Sequence, residues 1–143
     1  ETLPAISLPG VEVRRDGQVI RVELPAGRLY PAADGRISPE GMRLVTGVAA
    51  GLVRDYPDQR TGVEGHTSKD PLPSGLWQSH HHLSVTEAMG VYNVLATRTG
   101  LKPTQLVVAG HGANYPVVSN ATPAGRQRNH RVELVVYPDK VGG

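Results

Sequence analysis

Two helix-patterned segments, each set between short β-type runs, constrain this chain more than any other feature. Ser38-Pro39-Glu40 opens the first. Serine is a favoured N-cap, proline suits the first helical position, and an acid in the first turn complements the helix dipole. Met42, Val45, Val48, Ala49, Leu52, Val53 and Tyr56 follow at spacings of three and four. That period predicts one buried face, and Pro57 ends it. Ser84-Val85-Thr86-Glu87 reads as a capping box opening the second helix. Val85, Ala88, Met89, Tyr92 and Leu95 are expected on its buried face, with Gly100 just past its end.

Between and around these helices lie the strands. Val11 and Val13, then Val19, Ile20, Val22 and Leu24, flank Asp16-Gly17, a hairpin signal. Residues 25–37 read as loop. Further strands are expected at 61–66, 106–109 and 131–137, the last alternating with Val132, Leu134 and Val136 on one face. A polar loop with a short helical turn precedes it. Helical crossovers imply parallel pairs with right-handed connections. The prediction is a single α/β sandwich of βαβαβ type, a mixed sheet with helices on one face. Parallel strands finish at the same sheet edge, so residues 66–67, 80–83, 111–114 and 126–131 should converge on one rim.

The chain has 143 residues, 38% of them hydrophobic and 20% charged, which is enough for one folded domain with a substantial core. No apolar run approaches the ~20 residues of a membrane-spanning helix. Glu1-Thr2-Leu3-Pro4 shows neither an initiator Met nor a secretion signal. A mature or excised piece is therefore expected, touching a membrane only through segments outside it. The absence of cysteine excludes disulfides, thiol nucleophiles and thiolate metal sites. A net charge of +2, with one Trp, five Tyr and no Phe, argues against a nucleic-acid partner.

Specific markers recur in order along the chain. They are Tyr30, Ile37-Ser38-Pro39-Glu40, Val63-Glu64-Gly65-His66-Thr67, Leu83-Ser84, Gly110-His111-Gly112 with Pro116, and Gly125-Arg126 through Asn129-His130-Arg131-Val132-Glu133. Together they resemble the C-terminal domain of the OmpA family, shared by Pal lipoproteins and the stator protein MotB. The resemblance covers about residues 19–136. It implies a domain at 19–137, preceded by a linker or edge hairpin at 1–18 and followed by a tail at 138–143.

Most members of that family grip peptidoglycan in the bacterial periplasm. An Asp after Gly-His-Thr and an Arg after the Leu-Ser pair hold the ammonium and carboxylate of diaminopimelate. A zwitterion needs both a carboxylate and a planar bidentate cation. Here the Asp position is Ser68 and the Arg position is Glu87, while His80 and His130 stand for a usual Asn and Arg. Thr67, Arg126, Asn129 and Arg131 match the pattern, and Asp70 is a shifted acid. Each lost charge-assisted hydrogen bond is worth about 1.5–3 kcal/mol, so two losses weaken the usual ligand by hundreds-fold or more. The resemblance implies a noncatalytic periplasmic domain, tethered to the outer or inner membrane, associating with peptidoglycan through a modified or weakened site. The alternative is a domain that has lost that ligand and binds other envelope proteins. An open pocket lined by Asp70, Asn129 and Arg131 would favour the first, and a filled one the second.

Other signals have simpler readings. Glu87 is expected to close the capping box with Ser84. Six histidines gather between residues 66 and 130, and His80, His82, His111 and His130 are the metal-site candidates, although no spacing matches an established motif. His66 reads as structural. Ser68 near His66, or Ser84 near His82, lacks a nucleophile elbow, so no catalysis and no cofactor are expected. Arg126, Arg128 and Arg131 form either an anion patch or, for Arg131, a solvated strand position.

Overall fold

Gly17-Gln18 joins β1 (Glu12–Asp16) to β2 (Val19–Pro25) as a two-residue hairpin, with Asp16 opposite Val19. Gly17 has φ +61°, a turn conformation that costs glycine no steric strain. The computed structural model describes residues 3–73 and 75–141. After the hairpin come α1 (Ala26–Leu29), α2 (Pro39–Asp55), β3 (Gln59–His66), α3 (His80–Arg98), β4 (Leu106–Gly110), α4 (Pro123–Asn129) and β5 (Arg131–Lys140). α2 starts as predicted, with the Ser38 hydroxyl accepting from the Gly41 N–H at 2.9 Å. The expected loop at 25–37 instead contains α1. The Ala26 N–H donates to His130 O at 3.1 Å, and the Ser38 N–H donates to Leu29 O at 2.8 Å. A single turn is too short to leave a periodic pattern in the sequence.

The sheet order is β1-β2-β5-β3-β4. β2, β3 and β4 share one direction, and β1 and β5 oppose them. α3 crosses between hydrogen-bonded parallel neighbours, β3 and β4. α2 crosses a gap that β5 fills, so β2 and β3 are parallel without pairing. Val132, Leu134 and Val136 of β5 join Val22, Leu24 and Val63 against Val45, Val48, Leu52, Val91 and Leu95 of the helices. Leu3 and Leu8 also belong to this core, and the Tyr56 hydroxyl donates to the Pro4 carbonyl.

The second helix departs from its predicted start. Its N-cap is Ser79, whose hydroxyl accepts from the His82 N–H at 2.9 Å, so α3 begins at His80. Ser84 and Glu87 lie inside the helix, 0% and 2% exposed, and form no capping box. The Ser84 hydroxyl donates to His81 O and accepts from the Gly112 N–H, both at 3.0 Å. Leu83, Ala88, Val91, Val94 and Leu95 form the buried face, while Val85 and Met89 are exposed. Close packing explains this register. A Cβ on Gly65 would collide with the Ser84 carbonyl, and one on Gly110 would stand 2.6 Å from Val85 Cβ. The strand glycines thus let the first turns of α3 sit directly on β3 and β4.

Candidate functional site

The ends of β3 and β4, the start of β5 and the first turn of α3 meet at one rim, as the strand directions require. On the helix side of this rim is a cleft of about 270 Å³, lined in part by Tyr30, Thr67, Ser68, Asp70, His80, Leu83 and His130. Thr67 is fixed by its N–H to Gly112 O at 2.9 Å, and its hydroxyl pairs with His80 Nδ1 at 2.9 Å. Beneath the cleft, His130 Nε2 lies 2.7 Å from Glu87 Oε1. A carboxylate only accepts, so Nε2 carries the proton and donates. The Tyr30 hydroxyl donates to the Glu87 carbonyl at 2.7 Å, tying α3 to the segment after α1. Burial, with the Glu87 charge adding to it, pushes the Tyr30 phenol well above its ordinary value.

The remaining predicted residues divide between the cleft and the scaffold. Ser68 is buried, and its hydroxyl accepts from the Asp70 N–H at 3.1 Å. Asp70 reaches the lip of the cleft, where Oδ1 accepts from Arg126 Nε at 2.7 Å. Arg126 also donates to Asn120 O at 2.9 Å. Asn129 is fully buried and serves the preceding loop: it accepts from the Val117 and Val118 N–H groups and donates to Val118 O and Asn120 Oδ1. Arg131 is 3% exposed and donates to Glu133, Asn129 O and Tyr115 O at 2.6–3.0 Å. It is neither solvated nor part of the cleft lining. The cleft is therefore open, but its polar wall is Thr67, Ser68, Asp70, His80 and His130.

The four predicted metal candidates do not form one donor set. His80 and His130 share the cleft, His82 Nδ1 accepts from the Gln78 N–H, and His111 lies on the other face of the sheet. Among the described residues, Glu64, His66 and His111 are the group whose donor atoms converge. Reading the sequence missed this set and the fully buried Glu133. Period-two alternation places Glu64 with His66, and Arg131 with Glu133, on the face opposite the core. The missing step was the register that brings His111 beside His66.

The sequence model of the OmpA family matches residues 30–130. The chain belongs to the OmpA family. Among its relatives is the probable lipoprotein YiaD of Escherichia coli K12, 30% identical over 129 residues, covering 90% of this chain and 56% of that protein. Two solved OmpA-like structures are similar along most of their length. The cell wall anchor of the T6SS from Pseudomonas aeruginosa has a TM-score of 0.79 at 26% identity, covering 90% of this chain and 88% of that one. The periplasmic domain of Helicobacter pylori MotB has a TM-score of 0.80 at 26% identity, covering 91% and 83%. The chain spans about half the length of the curated relatives it matches.

Proposed function

We propose that this OmpA-family domain associates noncatalytically with peptidoglycan in the bacterial periplasm, using the rim cleft in modified form. The carrying observation is that the cleft stays open, at about 270 Å³, where the family-pocket positions Thr67, Ser68, His80 and His130 come together. The structural likeness to a cell wall anchor supports the same reading. The ligand-facing chemistry differs from the family's pattern. Asp70 supplies a carboxylate at the lip where the family's Asp position is Ser68, and the His80 and His130 imidazoles stand where the family has an Asn and an Arg. Likeness to a lipoprotein and to MotB supports tethering to the outer or inner membrane by another part of the parent protein.

A second reading has its own support. Glu87 is closed off by His130, and Arg126 is engaged with Asp70, so two charges near the cleft are already satisfied internally. A domain in that state serves as an interaction module for other envelope proteins. Co-sedimentation of the purified domain with insoluble peptidoglycan, at low and moderate salt, separates the two. Saturable binding that survives moderate salt is expected. No binding at either salt overturns the cell-wall reading in favour of the module.

A further inference from the structure

The face of the sheet away from the helices carries a second polar concavity, of about 370 Å³, at the same end of the molecule. Glu64 and His66 are two apart in β3 and so project to the same side. The β3–β4 register pairs Gly65 with Gly110, which brings His111 beside His66, and the His111 N–H donates to Gly65 O at 3.0 Å. The two imidazoles stack with centroids 5.0 Å apart and planes 24° from parallel. Glu64 Oε1 lies 3.6 Å from Nε2 of each ring, and the three donor atoms are all within 4.8 Å of one another.

One member of this cluster is short of a partner. His66 is 3% exposed, yet among the described residues neither ring nitrogen has a hydrogen-bond partner. At 3.6 Å the Glu64 oxygen is beyond hydrogen-bond reach. Buried polar groups are rarely left this way, and an unseated ion is one standing explanation. Tyr115 lies edge-on to both rings, at 5.1 Å from His111 and 6.4 Å from His66.

We propose that Glu64, His66 and His111 bind one divalent transition-metal ion of the zinc class, with at least one coordination position open to the concavity. Two imidazoles and a carboxylate suit Zn²⁺, Co²⁺, Ni²⁺ or Fe²⁺, whereas Mg²⁺ and Ca²⁺ prefer all-oxygen sites. Bonds of about 2.0–2.1 Å in a tetrahedral arrangement put neighbouring donors about 3.3 Å apart. The 3.6 Å contacts from Glu64 are within a few tenths of an ångström of that spacing, and the two imidazole donors, within 4.8 Å of each other, close to it by ring rotation. Arg21 now donates to Glu64 Oε1 at 3.2 Å, but it also holds Asp16 and Glu133 at 2.8 and 3.1 Å. It therefore keeps two carboxylates when Glu64 turns to a metal.

Zn²⁺ titration of the purified domain by calorimetry, without peptidoglycan, tests the site apart from the cell-wall reading. One tight equivalent is expected, weakened at least about 10-fold by His111→Gln and by Glu64→Gln. It should survive His81→Gln with His82→Gln. The absence of a tight equivalent, its persistence in His111→Gln, or its loss in the His81/His82 variant overturns the proposal. A measurement on the wild type guards against a misfolded variant. Co²⁺ added to the labelled domain should shift the His66 and His111 ring signals at lower metal than those of His80, His81 and His82, and the reverse order rejects the site.

Discussion

On the helix-covered side of the rim, Glu87 meets one imidazole, His130, beside an open cleft. On the other side, the fully buried Glu133 sits among three guanidiniums: Arg131 at 2.6 Å, Arg21 at 3.1 Å and Arg14 at 3.2 Å. Arg14 and Arg128 in turn hold Glu23. The first arrangement is a single pair, and the second is a network with a hub. Removing a hub strands several charges, whereas the two members of a pair can be exchanged together without disturbing their neighbours. The cleft is accordingly the place where this fold tolerates new ligand chemistry, and the opposite face is where it resists change. Under the proposed function, the positions that depart from the family's pocket pattern, Ser68, His80, Glu87 and His130, all lie on the cleft side.

The largest expected effect is on the exchangeable side. Ser68→Asp with Glu87→Arg restores the family's carboxylate and cation, and two charge-assisted hydrogen bonds are worth about 3–6 kcal/mol. Binding of a diaminopimelate-containing stem peptide should rise by hundreds-fold or more in a titration. No gain means that the surrounding wall has been rebuilt as well, and the cleft is not freely exchangeable. Next comes the hub. Glu133→Gln leaves Arg131 buried without its carboxylate and should cost about 3–5 kcal/mol in urea unfolding. Glu87→Gln keeps an acceptor for His130 Nε2 and should cost about 1–3 kcal/mol. If Glu87→Gln proves the more damaging, the contrast between pair and network is wrong.

Acid sharpens the same contrast. Burial alone would raise the Glu64 carboxyl, but the adjacent His66 ring and the bonded Arg21 guanidinium outweigh it and hold the group at about 2. Burial is likewise outweighed at Glu133, chiefly by Arg131, with Arg14 and His66 adding to it. The charged and titratable groups facing these carboxyls are Arg14 and Asp16 from β1, Arg21 and Glu23 from β2, His66 from β3, Arg131 and Tyr137 from β5, and His111 after β4. Both carboxyls titrate lower when folded than when unfolded. Their stabilisation is thus complete above the ordinary value of 4.5 and is lost as pH falls below it, toward about 2 for Glu64. The urea midpoint should drop across that window, and the drop should shrink in Glu133→Gln. An unchanged drop would place the acid sensitivity elsewhere.

Legibility in the sequence followed how local each decision is. α2 was readable because Ser38, Pro39 and Glu40 settle its start among themselves. The start of α3 was not, because Ser79 and Ser84 are both competent caps, and the choice rests on the packing of Ser84 against Gly65 and Gly112. Strand direction made the rim readable. The roles of Asn129 and Arg131 were hidden, since both are consumed by backbone groups of residues 115–118 and their neighbours, which no side-chain pattern announces. Glu64 and His66 were legible as a pair by alternation, but their meeting with His111 depended on strand register.

The smallest expected effect is at the lip of the cleft, and it probes what the pocket wall is for. Asp70 is 57% exposed at its side chain and paired with Arg126. An exposed pair of this kind contributes about 0.2–1 kcal/mol, so Asp70→Asn should barely move the urea midpoint. Under the proposed function it is the carboxylate that faces the ligand and should nevertheless matter for binding: loss of one charged contact predicts about a tenfold weaker association with peptidoglycan. Arg126→Gln removes the partner while leaving the acid, so under the same reading it should hold or improve binding at low salt. If both variants weaken binding equally, the pair acts by fixing residues 68–70 in place, and the contact to the ligand belongs to His80 and His130.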